Sequence, residues 1–252
     1  MDKTQIINAI VEARSKAQKR NFKQSVDFLI VCKEIDLKKN ENQFDLFLML
    51  PHGTGKKKSI CALVAQELLE TAKESCDEVI PSEEFQKYAQ DKKLVRKLAK
   101  KHDFFIAQAN IMPQVATAFG KVLGPKGKMP NPKAGCVIPP KTNIKPLYDK
   151  LQNTVKASLK TAPVIKCVVG LEDMDDNAIA ENILFIFDNV VNRLPSGEAN
   201  IKKMIIKLTM SPVVPIAVGS TEAVASSSKK KARKAKPAAA PKKTEEKVIE
   251  NA

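Results

Sequence analysis

Aromatic residues are scarce in this sequence of 252 residues: there is no tryptophan, there are two tyrosines, and aromatic side chains make up 5% of the chain. Proteins that read single-stranded nucleic acid usually stack successive bases on a platform of aromatic side chains. The scarcity argues against such a platform. It also predicts aliphatic cores, for which a hydrophobic content of 43% is sufficient.

Cysteine is also infrequent, and no two cysteines stand at the Cys-x-x-Cys spacing of zinc ribbons and redox motifs. Most of the five lie in apolar runs such as FLIVC and ICALV, where a thiol fills core volume. We expect reduced, buried cysteines in an intracellular protein, and neither a metal site nor a cofactor. The five are Cys32, Cys61, Cys76, Cys136 and Cys167.

Residues suited to catalysis are few. His52 and His102 are the only histidines, each in a lysine-rich neighbourhood, and neither is expected to be catalytic. The acidic segment EDMDDN, residues 172–177, could suggest a cation site, but carboxylates are common where a helix begins, and we predict a helix N-terminus there. No apolar run approaches the ~20 residues that a bilayer span requires. The prediction is a non-enzymatic, cytoplasmic protein.

Positive charge, by contrast, is abundant, at a formal net +15. Residues 220–252 contain nine Lys or Arg against four Glu, which leaves +10 for the rest of the chain. A basic body as well as a basic tail favours a polyanionic partner over a merely soluble basic protein. Residues 219–252 consist largely of Ala, Lys, Pro, Ser and Glu, and this composition predicts a disordered tail.

Two different hydrophobic patterns follow one another along the chain. SVDFLIVC and QFDLFLML alternate as half-buried strands, and a long helix follows Asp176 with Ile179, Ile183 and Ile186 on its apolar stripe. From Ser59 the pattern changes to a continuous apolar run, SICALV. A helical stretch over 82–101, a strand at 103–108 and a helix near 113–121 follow it. This alternation predicts a small α/β domain.

Two glycine- and lysine-rich loops invite a phosphate-binding interpretation. HGTGKKKS, residues 52–59, lacks the spacing of a Walker loop, so a cationic turn is predicted instead. LGPKGKMPNPKAG, residues 123–135, lacks the dinucleotide spacing, but its prolines would hold Lys126, Lys128 and Lys133 on a stiff scaffold that suits RNA phosphates. An ordinary interdomain loop remains the alternative.

PHGTGK at 51–56, LGPKGKMPNPKAG and KLTMSP at 207–212 together resemble the universal family of ribosomal protein one of the large subunit, over roughly residues 1–216, with NFKQSVDFLIVCKEIDL similar to the archaeal branch. The resemblance implies a discontinuous first domain, 1–58 plus 156–218, with an α+β fold of antiparallel sheet and helices. It implies a Rossmann-like α/β second domain, 59–155, inserted into the first. The changes of hydrophobic pattern at Ser59 and near Lys156 agree with these boundaries.

The resemblance also implies a main rRNA site on the first domain, at the segment that opens the first strand and at KLTMS. Ser211 stands where the family has glycine in Thr-Met-Gly-Pro, so a positive φ there would be strained. Core packing is the alternative for Phe22 and Met210. Strand alternation opposite Met204, Ile206 and Leu208 predicts that the Thr209 hydroxyl is available to a ligand. The implied site residues are Phe22, Lys23, Gln24, Ser25, Asp27, Lys207, Thr209, Met210 and Ser211, with Lys126, Lys128 and Lys133 as auxiliary contacts.

By this resemblance the partners are the rRNA stalk of the large subunit, exit-site tRNA whose release the protein would assist, and its own mRNA, which it would repress. It would be a monomer within the cytoplasmic ribosome, without membrane contact. An mRNA-binding regulator acting off the ribosome is one alternative. A nucleotide-dependent enzyme, suggested only by the Gly/Lys loops, is the other.

Overall fold

The structure is a computed structural model that describes residues 2–140 and 142–216. The predicted disordered tail, 219–252, lies outside the described residues. The strands are Ser25–Cys32 (β1), Phe44–Met49 (β2), Ile60–Val64 (β3), Glu78–Pro81 (β4), Phe104–Gln108 (β5), Val137–Ile138 (β6), Thr154–Leu159 (β7), Val164–Leu171 (β8), Ile201–Leu208 (β9) and Val214–Ile216 (β10). The α-helices are Lys3–Ser15 (α1), Leu69–Ser75 (α2), Phe85–Gln90 (α3), Lys92–Lys101 (α4), Met112–Leu123 (α5), Lys145–Asn153 (α6) and Asp176–Val191 (α7).

An antiparallel sheet has the strand order β10-β9-β1-β8. Along β1 every second residue is buried, from Val26 to Cys32, which confirms the half-buried strand predicted from SVDFLIVC. Helices α1 and α7 cover the buried face, and the predicted stripe of α7 lies in this core. The other face of the sheet is more open, and Asp27 and Leu29 of β1 are partly exposed on it.

Strands β2 and β7 form a separate antiparallel ribbon in which Phe44 pairs with Leu159 and Met49 with Thr154. Leu48 and Ala157 of this ribbon are buried in the same core as the antiparallel sheet. The predicted boundary between residues 155 and 156 falls inside β7. The chain leaves the ribbon after β2 and returns directly into β7.

A parallel sheet with the order β4-β3-β5-β6 is formed by residues between these two ribbon strands. All five residues of β3 are buried, as predicted for SICALV, because helices cover both faces of the sheet. Phe105 packs with residues of α4 and α5 on one face, and Ile106 packs with residues of α2 and α6 on the other. The prediction of antiparallel and parallel sheets in a mixed α and β chain is therefore confirmed. The division into two domains and the Rossmann-like character of the second stay predictions.

The stretch predicted to be helical over 82–101 is interrupted. Asp91 has extended backbone angles, φ −106° and ψ 96°, and its carboxylate accepts a hydrogen bond of 2.7 Å from the N–H of Lys93. This side-chain cap ends α3 and begins α4, because an aspartate that bonds its own backbone competes with helix propagation. None of the helices in the described ranges is long and apolar enough to cross a membrane.

Candidate nucleic-acid interface

The predicted main site lies at one edge of the antiparallel sheet, where β1 begins and β9 ends. Thr209 extends the β1–β9 ladder: its N–H donates to the carbonyl of Ser25 at 3.1 Å. Its hydroxyl accepts from the N–H of Ser25 at 3.1 Å and lies 3.3 Å from the Ser25 carbonyl, to which it can donate. The end of the ladder thus already uses this hydroxyl, but Thr209 is exposed and its oxygen can accept a further hydrogen bond, so contact with a ligand stays a prediction.

Gln24 ties three segments together at this edge. Its side chain is 1% exposed; its Oε1 accepts from the N–H of Met210 at 3.2 Å, and its Nε2 donates to the carbonyl of Gln18 at 3.2 Å. Its carbonyl also accepts from the N–H of Glu172 at 2.9 Å. Gln24 thus positions its neighbours, and its buried amide is not itself presented to a partner.

Ser211 closes the turn that follows β9. Its hydroxyl accepts from the N–H of Leu208 at 3.1 Å and donates to the carbonyl of Pro212 at 3.0 Å, and its own N–H donates to the Leu208 carbonyl at 3.1 Å. Glu34 is the only described non-glycine residue with a positive φ, so Ser211 has none of the strain considered for it. The turn accommodates serine at this position because the Ser211 hydroxyl forms two hydrogen bonds within it.

Two large apolar side chains protrude at this edge. Phe22 is 52% exposed and Met210 is 59% exposed, so the alternative interpretation of core packing is wrong for both. The Gln24 amide holds the backbone of Met210, and Phe22 precedes Gln24 by two residues. An exposed aromatic ring and a thioether on a rigid edge can pack on an unstacked base or a ribose.

Charged side chains surround this edge. Lys23 Nζ lies 2.6 Å from Asp173 Oδ2, and the hydrogen bond to Asp173, followed by the charge of that carboxylate, raises the pKa of Lys23. Asp27 stands opposite Lys207 in the β1–β9 register. Burial raises the pKa of Asp27, and the charge of Lys207 opposes that rise.

The acidic segment 172–177 contains the start of α7, which confirms the helix N-terminus predicted there. Asp175 is the N-cap of α7 but makes no side-chain capping bond, and only Asp176 lies in the first turn. The carboxylates pair with basic side chains instead, Asp173 with Lys23 and Asp176 with Arg14 at 2.9 Å. They therefore position the basic residues beside the edge.

Sequence reasoning missed two lysines on the open face of the sheet. Lys166 and Lys203 are exposed, and they stand opposite Leu29 and Val31 of β1. Residues directly opposite each other project on the same side of a sheet, so both share a face with Asp27 and Lys207. The alternation of VIKCVVG and KKMIIKL carried this signal.

The three lysines of the predicted auxiliary loop differ in their surroundings. Lys128 is mostly buried, and its Nζ donates to the carbonyl of His102 at 2.7 Å. Lys126 and Lys133 are exposed and form no ion pair with any described residue. Lys156 of β7 donates to the carbonyl of Gly127 at 3.3 Å, which joins the loop to the ribbon. Two of the three lysines are thus accessible to phosphates.

The histidines occupy structural positions. The His102 ring is fully buried between the Ser59 hydroxyl, 2.8 Å from Nδ1, and Glu78 Oε2, 2.9 Å from Nε2. His52 Nε2 lies 2.5 Å from Glu181 Oε2. Within the ranges that the structure describes, no group of three or more His, Cys, Asp or Glu could hold a metal ion.

The model of the ribosomal protein L1p/L10e family matches residues 13–212. The chain belongs to this family. It is 41% identical over 216 residues to large ribosomal subunit protein uL1 of Thermococcus kodakarensis, covering 85% of this chain and 98% of that protein. It is 42% identical over 216 residues to the uL1 protein of Pyrococcus abyssi, covering 85% and 96% of the two chains. For the Methanocaldococcus jannaschii protein the identity is 40% over 216 residues, covering 86% and 96%.

The comparisons decide two of the predictions made from sequence. The resemblance to ribosomal protein one is confirmed, and the similar relatives named above are archaeal. A family of ribosomal proteins is not a family of enzymes, which confirms the prediction of a non-enzymatic chain. The individual RNA contacts are not identified by these likenesses and stay predictions.

Proposed function

We propose that this L1-family chain is a structural protein of the large ribosomal subunit in the cytoplasm and that it binds the rRNA of the stalk. The observation that carries the proposal is the rigid edge at which Phe22 and Met210 are exposed on a backbone held by Gln24. The names of the relatives, large ribosomal subunit protein uL1, support the assembly.

Each part of the edge has a separate task in this proposal. Phe22 and Met210 pack on unstacked bases or riboses, which a folded RNA with a bulge or junction provides. Lys207, with Lys166 and Lys203 on the same face of the sheet, contacts phosphates. Gln24, Ser25, Thr209 and Ser211 hold the edge in shape, and Lys126 and Lys133 supply auxiliary phosphate contacts.

The finer roles belong to the same proposal. Assistance to the release of deacylated tRNA and repression of the chain's own mRNA both follow from the resemblance to ribosomal protein one. Repression would use the same edge for a messenger that imitates the rRNA. Comparing affinity for stalk rRNA with affinity for the chain's own leader RNA separates the ribosomal role from the regulatory one.

Alanine substitution at the two exposed side chains tests the site. Loss of a base-stacking contact costs ~1–3 kcal/mol, so Phe22→Ala and Met210→Ala should each weaken binding to stalk rRNA by about 5- to 150-fold. Phe185→Ala and Met49→Ala are matched controls, since both wild-type side chains are exposed on other elements. A filter-binding titration measures all four variants. Equal affinities for the Phe22 and Phe185 variants would contradict the site.

A further inference from the structure

The segment between β2 and β3 contains a loop, residues 53–57, that is clamped at both ends by buried or half-buried amide side chains. Before the loop, Asn182 Oδ1 accepts from the N–H of His52 at 3.1 Å, and Asn182 Nδ2 donates to the His52 carbonyl at 2.6 Å. After it, Gln152 accepts from the N–H of Lys58 at 2.8 Å and donates to the Lys58 carbonyl at 2.9 Å. We call residues 53–57 the connecting loop.

Two glycines affect the shape of the connecting loop. A Cβ on Gly53 would lie 2.5 Å from Asn153 Oδ1, and Gly55 has a φ of +72°. The backbone at Gly55 is therefore left-handed, a conformation that other residues adopt with strain, whereas a side chain at position 53 would have to displace the end of Asn153. Clamps and glycines together give the loop a preorganised shape.

Hydrogen-bond donors in the connecting loop lack partners in the described chain. The N–H groups of residues 53–57 donate to no described residue. The hydroxyl of Thr54, a residue 4% exposed, is buried without a partner. A buried hydroxyl without a hydrogen bond costs ~1–3 kcal/mol, and native proteins retain few such groups. These donors point to an acceptor that binds here.

The charges in the connecting loop indicate an anion. Lys56 and Lys57 are exposed; Lys57 Nζ is 3.8 Å from Asp77 Oδ1, beyond hydrogen-bond distance, and Lys56 has no ion pair with a described residue. The loop lines a cleft of about 500 Å³ whose other walls include Tyr148 and Asn153. Consecutive backbone N–H groups with adjacent lysines are typical of phosphate cradles.

The connecting loop is also adjacent to the proposed rRNA edge. A Cβ on Gly55 would lie 3.3 Å from Leu171 Cδ1 and 3.2 Å from Met174 Sδ. The turn that contains these two residues bonds Gln24 through the backbone of Glu172. One RNA that covers the edge at Met210 can therefore continue over this turn to the connecting loop.

We propose that the connecting loop binds a phosphodiester group of the same RNA, with the loop N–H groups and the Thr54 hydroxyl as donors and with Lys56 and Lys57 as neutralising charges. This inference rests on the proposed function, because the ligand is a backbone phosphate of the rRNA. It assigns a second, preorganised contact to the protein, outside the edge at Phe22 and Met210.

Thr54→Val tests the donor without removing volume. Valine does not need a hydrogen-bond partner, so the melting temperature should stay equal or rise, whereas affinity for stalk rRNA should fall about 5-fold or more. Thr54→Ser keeps the hydroxyl and should bind as the wild type does. A hydroxyl with a merely structural role would not lower RNA affinity while leaving stability unchanged.

Lys56→Gln combined with Lys57→Gln gives a second test at exposed positions, where folding is not at risk. The double variant should weaken binding and lower the slope of log affinity against log salt by about 1 to 2. Lys92→Gln combined with Lys93→Gln, on exposed lysines of α4, is the matched control and should leave preference for the stalk unchanged. Wild-type affinity and slope in both Thr54→Val and the double variant would overturn the inference.

Amide NMR of residues 53–57 separates the phosphate of RNA from free phosphate. Stalk rRNA should shift these amides, and inorganic phosphate at the same ionic strength should shift them only at far higher concentration. Saturation by inorganic phosphate with no shift by RNA would overturn the assignment to a phosphodiester. Failure of the proposed function would be distinct: wild-type protein would then show no preference for stalk rRNA over an unrelated hairpin.

Discussion

Among individual residues, Lys58 has a pKa that the fold shifts strongly. Burial lowers its pKa to about 8, and the charge of Asp103 offsets only part of that shift. Its Nζ donates to the carbonyl of Thr154 at 2.5 Å and lies 5.7 Å from the centre of the Phe104 ring. Because it contacts both β5 and β7, Lys58 links the parallel sheet to the ribbon.

Stability should depend on pH through Lys58. The lysine titrates near 10.5 when unfolded and near 8 when folded, so the folded state binds fewer protons between these values. The free energy of unfolding should therefore rise as pH increases from 8 to 10.5. Lys58→Met should lose this contribution and be no less stable at pH 7. Urea unfolding of both proteins at pH 7 and pH 10 measures the free energy of unfolding. Lys57→Met, at an exposed position, is the control.

Thr209 supports the backbone at the edge where the rRNA site is predicted. Its hydroxyl is engaged by the backbone of Ser25 at the end of the β1–β9 ladder. Thr209→Val should therefore lower stability by ~0.5–1.5 kcal/mol, or roughly 2–5 °C in melting temperature, whereas Thr209→Ser should be near wild type. An unchanged melting temperature with reduced RNA affinity would instead mean that the hydroxyl contacts RNA directly.

At the scale of elements, α4 carries an unusual charge for a helix of ten residues. Six of its residues are Lys or Arg. Val95, Leu98 and Ala99 face the core, while basic residues follow one another at spacings of four, such as Lys93, Lys97 and Lys101. Like charges at this spacing destabilise a helix by ~0.2–0.5 kcal/mol per pair. The helix folds because its apolar face is buried, not because its surface favours it.

Charge reversal in α4 should therefore stabilise the protein. Lys97→Glu converts two repulsive pairs, with Lys93 and Lys101, into attractive ones and should add about 1 kcal/mol at low salt. Lys97→Gln should give about half of that gain. Thermal unfolding at low and high salt checks both variants, because the gain should shrink as salt screens the charges. A loss of stability in Lys97→Glu would mean that Lys97 has an anionic partner.

Sequence patterns predicted the elements that depend on local periodicity and missed those that depend on single side chains or distant pairing. The alternation in β1, the continuous burial of β3 and the stripe of α7 were all readable. The break at Asp91 was not, because a capping carboxylate outweighs the helical content around it. The β2–β7 pairing joins segments more than 100 residues apart, which no local pattern encodes.

The same division holds for the candidate site. Motif resemblance predicted which segments form the edge, but not which of their atoms are already engaged. The Gln24 side chain is engaged in hydrogen bonds to Gln18 and Met210, and the Lys128 ammonium group in one to His102. The tertiary fold, and not the local sequence, sets these partners. Lys166 and Lys203 were predictable from strand alternation once the buried face was known.

For the whole molecule, the hydrophobic cores are divided between chain segments. Among the residues that the structure describes, the core of the antiparallel sheet and the ribbon contains buried residues only from 6–50 and 155–216. Within the same described ranges, the two cores on the faces of the parallel sheet contain buried residues only from 60–138 and from Ile144 and Leu151. Since no buried residue belongs to both sets, the predicted two-domain division implies that the outer segments can fold without the inner one.

A fragment that joins residues 1–50 to 153–216 tests this division together with the site. The N–H of Leu50 bonds the carbonyl of Asn153 at 3.0 Å, so a short Gly/Ser linker closes the chain without strain. The fragment starts its second segment at 153 rather than 156 because β7 begins at Thr154. It should unfold cooperatively in urea, since it keeps the whole core of the antiparallel sheet.

The fragment should still prefer stalk rRNA to an unrelated hairpin, because Phe22, Gln24 and Met210 all remain. Its affinity should be lower than that of the full chain, since it lacks the connecting loop and the auxiliary lysines. Titrations at two salt concentrations should show a smaller salt slope as well, because fewer phosphates are neutralised. A folded fragment with no preference for the stalk would transfer the specific contact from the edge at Met210 to the residues between 51 and 152.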